Sequence, residues 1–280
     1  MGKDKLMNFT ALYNIGKFSW NDALINAKNF FNSLGIQANL VFYQEVLPLE
    51  KQEFDDGIRE VSISELENII ESSKNIRGIS LVFQKEDSPR WDLNFHYYFD
   101  ILYPEQNYLI IEYSDEFKSI NDSNFLLNVV NDISKSSYIS YGFSCQLPYH
   151  GVKSYSYIDS QTSFVPVFSY ENTNLWTTEV PSYLNDGIAP RRYLEGMLRL
   201  VYRYNFIVQK HLNRIIQGIK LQDWIHSDSS HGFLTQLANG LWCWEVEQEN
   251  LEKVNQACYQ ADLLISYKVP SPERKKRKLP

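Results

Sequence analysis

Residues 189–246, APRRYLEGMLRLVYRYNFIVQKHLNRIIQGIKLQDWIHSDSSHGFLTQLANGLWCWEV, decide how the rest of the chain must be arranged. Pro190 suits a first helical turn, where the missing N–H is not needed. Leu194, Met197, Leu198, Val201 and Tyr202 follow at helical spacing and would form one buried face. A second helical piece would carry Phe206, Ile207, Leu212, Ile215 and Ile216, and a shorter third one Leu221, Trp224 and Ile225. Beyond them, Phe233 to Leu237 and Leu241 to Val246 flank Ala238, Asn239 and Gly240. Asn-Gly favours the positive φ angles of a hairpin turn. A final helix from about Gln248 to Ala261 brings Leu251, Val254 and Cys258 together, before a short strand at Leu263 to Tyr267. The tail, SPERKKRKLP, reads as a disordered basic segment.

The first half of the chain has clearer periodicity. Phe9 to Ile15 is a short aromatic strand, Ser19 a helix N-cap, and Trp20 to Leu34 an amphipathic helix that Gly35 stops. Ile36 to Leu47 contains a strand. Ser62 or Ser64 caps a second helix bearing Leu66, Ile69 and Ile70, with Glu65 and Glu67 in its first turn. Strands follow at Ile79 to Phe83, Trp91 to Leu102 and Tyr108 to Tyr113. A helix over Asn121 to Ser136 presents Phe125, Leu126, Val129, Val130 and Ile133, and Tyr138 to Leu147 returns to strand. This order predicts an α+β fold: a mixed, mostly antiparallel sheet with helices packed on one face, followed by a helix-rich C-terminal module with a β-hairpin. The expected divisions are 1–150, an irregular connecting segment over 151–189, the module at 190–268 and the tail at 269–280. Phe164, Val165, Val167, Phe168, Leu175 and Trp176 make the connecting segment too apolar for a free linker, so it should lie across both parts.

At 280 residues, 22% charged and 44% hydrophobic, the chain has a soluble globular composition. Its 19 Tyr, 16 Phe and 6 Trp are either strand formers or surface anchors for a partner. No apolar run could span a bilayer and the N-terminus lacks a signal-peptide core, so a cytoplasmic location is expected. Cys145, Cys243 and Cys258 form no CxxC pair and read as small buried residues. The net charge of -7 hides a split: residues from Pro190 onward carry +5 and those before it -12. The two parts could complement each other or address different partners.

The basic row Arg191, Arg192, Arg199, Arg203, Lys210, Arg214 and Lys220 is opposed between Pro190 and Lys220 by Glu195 alone. It supplies the partner-binding candidates. Asp223, His226, Asp228 and His231 are possible metal ligands, although Asp228 and its serines are also ordinary turn residues. Walker, GxGxxG, HExxH and EF-hand motifs are absent, and no cofactor is expected. Acidic pairs such as Asp55 with Asp56, or Asp115 with Glu116, read as solvated surface, and the isolated His96 and His150 as hydrogen-bonded structure.

The runs YNFIVQKHLNRIIQGIKLQDWI and LANGLWCWEVEQENLEKVNQACYQADLLI, with Leu212, Gly218, Leu221, Gly240 and Leu241, resemble the closing part of the type VI secretion immunity protein family. The preceding YISYGFSCQLPY resembles that family's α+β body. The resemblance implies a non-enzymatic protein that binds and neutralises a cognate bacterial toxin or defence effector, with no catalytic residues to carry over. A protein partner is therefore expected. The alternatives are a nucleic-acid-associated protein using the basic module, and a metal-dependent hydrolase using Asp223, His226, Asp228 and His231.

Overall fold

A computed structural model describes residues 6–16, 18–47, 57–72, 75–88, 91–99, 107–114, 116–117, 123–148, 166–177 and 192–269. The strands of the first half are β1 (Leu6–Gly16), β2 (Leu40–Glu45), β3 (Ile58–Glu60), β4 (Ile76–Phe83), β5 (Leu93–Phe99), β6 (Asn107–Ser114) and β7 (Tyr138–Pro148). Its helices are α1 (Trp20–Ser33), α2 (Ile63–Ser72) and α3 (Ser123–Ser136). Ser19 and Asp22 close a capping box on α1, and Ser62 and Glu65 exchange the same bonds at the start of α2.

After α4 (Thr173–Thr177) come β8 (Tyr204–Val208), α5 (Gln209–Leu212), β9 (Ile215–Ile216), β10 (Ile219–Lys220), α6 (Leu221–Ser227), β11 (Phe233–Gln236), β12 (Leu241–Glu245) and α7 (Leu251–Gln260). Ten strands form one sheet in the order β11-β12-β8-β7-β1-β6-β5-β4-β2-β3, every neighbouring pair antiparallel. The sheet runs without a break from the acidic first half into the C-terminal module, through the pairing of β7 with β8. The remaining strands, β9 and β10, pair with each other.

Alternation along the strands gives the sheet two apolar faces. Leu12, Leu81, Phe95, Ile111, Phe206 and Cys243 join the core beneath α1, α2 and α3. Phe9, Ala11, Tyr13, Tyr141 and Phe143 point the other way, into a core completed by Trp176, Tyr193, Leu198 to Tyr202, Trp224 and α7. The helices of the first half do lie on one face, and the C-terminal elements cover the other.

The stretch from Arg192 to Val208 departs from the helical expectation. Only Arg192–Glu195 is helical, as a single 3-10 turn. Residues 198–202 are all buried and run as a strap across the sheet. A helix packed on a sheet exposes part of each turn, so five consecutive buried residues require an extended path. The strap is tied at Leu198 and Arg199 to Leu263, Ile265 and Ser266 by backbone hydrogen bonds. From α7, the Asn255 side chain accepts from the Val201 N–H at Oδ1 and donates from Nδ2 to the Val201 carbonyl, at 2.8 Å each. Tyr204–Val208 is a wholly buried strand rather than a helix, with Asn205 bonding the backbone of Tyr202 and Trp244 from within it.

Among the described residues the aromatics are mostly buried or partly buried. Tyr141, Tyr13, Tyr108 and Tyr98 stand side by side across four strands. Phe143, Tyr202, Trp176 and Tyr193 pack around the first two, and pairs of this kind add about 0.5–1.5 kcal/mol each beyond their buried area. The described part of the connecting segment, 166–177, does lie across both halves: Trp176 meets Tyr13, and Tyr170 meets Tyr267. Cys145, Cys243 and Cys258 are buried free thiols whose pKa values burial pushes up. Among the described residues no helix is long and apolar enough to cross a membrane.

Candidate protein-binding surface

The basic row divides into an interior member, a surface group and a residue apart, while Arg191 lies outside the described residues. Arg199 is fully buried and so leaves the set of surface candidates. Its Nη2 and Nε lie 3.0 and 3.1 Å from Oε1 of Glu171, itself buried. Tyr202 donates to the same oxygen at 3.1 Å, and the amide of Val167 donates to Oε2 at 2.8 Å. The guanidinium lies over the rings of Phe143 and Trp176, 5.4 and 5.3 Å from their centroids. This arginine pins the connecting segment to the sheet.

Lys210, Arg214 and Lys220 lie on or next to the β9–β10 hairpin, and Arg192 lies on the 3-10 turn that Lys210 reaches. Lys210 pairs with Glu195 of the 3-10 turn at 3.0 Å, and Arg214 Nη2 donates to the carbonyl of Asp262 at 3.4 Å. Between Arg214 and Leu221 the chain makes the tight β9–β10 hairpin, closed by the Leu221 amide donating to the Arg214 carbonyl at 2.7 Å. Gln217 and Gly218 occupy its turn with φ of 50° and 85°, the two successive positive angles of a type I′ connection. Ile216 is buried and anchors the hairpin, while Ile215 and Ile219 are 55% and 43% exposed. Lys220 is exposed opposite Ile215. The result is a short, well-fixed tip with two bare isoleucines and a cationic surround. Arg203 stands apart on the sheet, half-exposed, 3.9 Å from Glu245 and over the ring of Tyr204.

Across residues 192–268 the cations and the carboxylates number eight each, so the positive excess read from the sequence resides in Arg191 and the tail. These lie outside the described residues.

Asp223, His226 and Asp228 are exposed, and His231 is partly so. Among the described residues no three His, Cys, Asp or Glu side chains are grouped to hold a metal ion. His231 stacks on Trp224 with centroids 3.6 Å apart, and its Nδ1 is 2.8 Å from the Trp224 carbonyl, which can only accept, so Nδ1 carries the proton. Its own carbonyl accepts from Trp244 Nε1 at 2.8 Å. Asp228 caps the following turn through the Ser230 amide, which holds its carboxyl below the usual range. Asp223 and His226 lie on α6, and Asp228 and His231 shape the turn that follows it. His150, Asp55, Asp56 and Asp115 lie outside the described residues.

One contact escaped sequence reading because it joins distant segments. The Asn239 side chain, on the β11–β12 turn, donates to the carbonyl of Ser134 at 2.5 Å and reaches that of Ser137 at 3.4 Å, both at the C-terminal end of α3. Ala238 N–H donates to Asn131 Oδ1 at 3.0 Å. The Asn-Gly pair was legible as a turn, but its role as a cap for another helix was not.

An antiparallel α+β sheet covered on both faces, with an apolar and cationic hairpin tip, defines the class of fold and the surface it offers. No protein-family model matches the chain, and no curated protein matches its sequence. Among solved structures the fold is similar to the Pseudomonas aeruginosa T6SS protein PA0821, with a TM-score of 0.56 and 10% identity over 96% of this chain and 77% of that one. That likeness establishes the fold. A structure of the toxic C-terminal tip of CdiA from Pseudomonas aeruginosa in complex with immune protein also matches, at a TM-score of 0.24 and 9% identity over 50% of this chain and 85% of that chain, too low to carry an argument.

Proposed function

We propose that this chain is a non-catalytic binding protein of the immunity type, which occludes a bacterial toxin or effector by seating the β9–β10 tip in a complementary cleft. The observation that carries this reading is the pair of exposed isoleucines on a fixed turn. Ile215 and Ile219 are about half bare although Ile216 between them is wholly buried. Leaving both in water forgoes the gain from burying them, on the order of 1.5–3 kcal/mol for a full side chain. A partner that covers them recovers it. Lys210 and Lys220 beside them fit an acidic rim, where charge steers approach and register more than it adds affinity. The fold shared with a type VI secretion system protein supports the bacterial setting. Nucleic acid is less well served, because cations and carboxylates balance over residues 192–268 and attraction through counterion release has little source there.

The test is co-expression with the product of the adjacent gene, followed by co-purification. Growth rescue and a stable complex are expected. Ile215→Asp with Ile219→Asp should weaken the complex by roughly ten-fold or more with little change in melting temperature, since both side chains are solvent-facing. Full-strength binding by the double variant would remove the hairpin from the interface. Absence of both rescue and complex would overturn the immunity reading.

A further inference from the structure

The two edges of the sheet are built differently. At one, β3 carries Arg59 and Glu60, charges of the kind that discourage another strand from joining. At the other, β11 reads Phe-Leu-Thr-Gln, and from Asp228 to Glu245 no Asp, Glu, Lys or Arg intervenes. No proline or bulge blunts this edge, and its register with β12 is regular over all four residues.

The backbone groups that face outward follow from the pairing. The Leu237 amide donates to the Leu241 carbonyl at 2.8 Å, which makes those two residues a hydrogen-bonded pair. Such pairs alternate along an antiparallel ladder, so Thr235 and Phe233 also bond toward β12. Leu234 and Gln236 therefore turn both N–H and C=O to the outside. Thr235 and Gln236 are exposed, and the Phe233 ring is 56% exposed.

We propose that β11 pairs with β11 of a second copy of this chain, antiparallel about a two-fold axis through Thr235. In that register Leu234 of each copy lies opposite Gln236 of the other, and the two pairs exchange four backbone hydrogen bonds. The same register sets Phe233 opposite Leu237, giving the bare ring an apolar neighbour that is itself only partly buried. Thr235 meets its own counterpart, a favourable cross-strand pair. Every juxtaposition is uncharged, which suits an edge that must pair with itself, and the axis closes the assembly at two copies. The joined sheet would have twenty strands.

Sedimentation of the full chain over a series from low micromolar to millimolar concentration tests this. The mass should rise with concentration from 32.9 kDa to twice that value. Thr235→Lys and Thr235→Glu each bring like charges together at the axis and should hold the chain at the single mass. An equimolar mixture of the two should recover the doubled mass. Gln236→Pro, which removes an outward N–H that the chain itself does not use, is a second variant should either charged one misfold, and it too should stay at the single mass. A wild-type chain that remains single at millimolar concentration overturns the proposal, as does a dimer indifferent to these substitutions. A wild-type monomer whose Thr235→Lys variant loses a protein partner also overturns it, since the edge would then serve that partner's strand.

Discussion

Arg199 illustrates a buried cation that is neutralised where it stands. Its charge meets Glu171, two further donors reach that carboxylate, and aromatic rings flank the guanidinium. Such a pair adds little over a well-packed apolar substitute, but removing one member leaves the other charged and alone. Arg199→Met should therefore lower unfolding free energy by about 3–5 kcal/mol in urea titrations. Adding Glu171→Gln to it should recover part of that loss. His211 acts at the same scale through pH. It is 1% exposed, stacked on Tyr141, and burial lowers its pKa from 6.5 to about 4. The imidazole is neutral in the fold, so the unfolded chain binds more protons between pH 6.5 and 4. The His211 contribution to stability is complete above that window and is lost as pH drops through it, by on the order of 3 kcal/mol. His211→Phe should flatten this slope in denaturant titrations, at the expense of about 1 kcal/mol at neutral pH, because Val208 N–H loses its acceptor.

Among the elements, the β11–β12 turn reaches furthest. Asn239 adopts φ of 51°, and its amide ties the turn to the last carbonyls of α3. Asn239→Gly keeps the backbone conformation and removes only the bonds, while Asn239→Ala adds the strain of a positive φ. Losses of about 1 kcal/mol for glycine and about 2 for alanine are expected by thermal denaturation, with α3 the first helix to gain hydrogen exchange. How much was legible varies by element in a way that has a cause. α1, α2 and α3 each expose one side, so their periodicity identified them, and Ser19 and Ser62 marked their starts. The strap and β8 are buried on all sides, and a run such as Leu198 to Tyr202 carries no period to distinguish helix from extended chain. The β-branched and aromatic content of Tyr204–Val208, in five consecutive buried positions, was the one usable cue. Of the surface, the cations were legible as a row. That Arg199 would turn inward, and that Ile215 and Ile219 would stand bare, depended on contacts between segments far apart in sequence.

For the molecule as a whole, the shared sheet makes the two halves interdependent. Among the described residues, those that cover Phe9, Tyr13, Tyr141 and Phe143 from outside the sheet come from 166 onward. A fragment ending at residue 148 should therefore bind hydrophobic dyes, aggregate and lack a cooperative melting transition, whereas the full chain should unfold in a single calorimetric transition. An independent transition in the fragment would show instead that the first half folds alone.

The place of β1 at the centre of the sheet has a further consequence during synthesis. β1 leaves the ribosome well before its neighbours, which are made about one hundred residues or more later, β6 on one side and β7 on the other. Its aromatic face then waits for the strap and α7. At ordinary translation rates the interval from β7 to the last covering residues is on the order of 10 s. Through that interval the nascent chain carries a broad apolar face in water, and its yield in the cell should depend on chaperones that hold that face until the strap and α7 emerge.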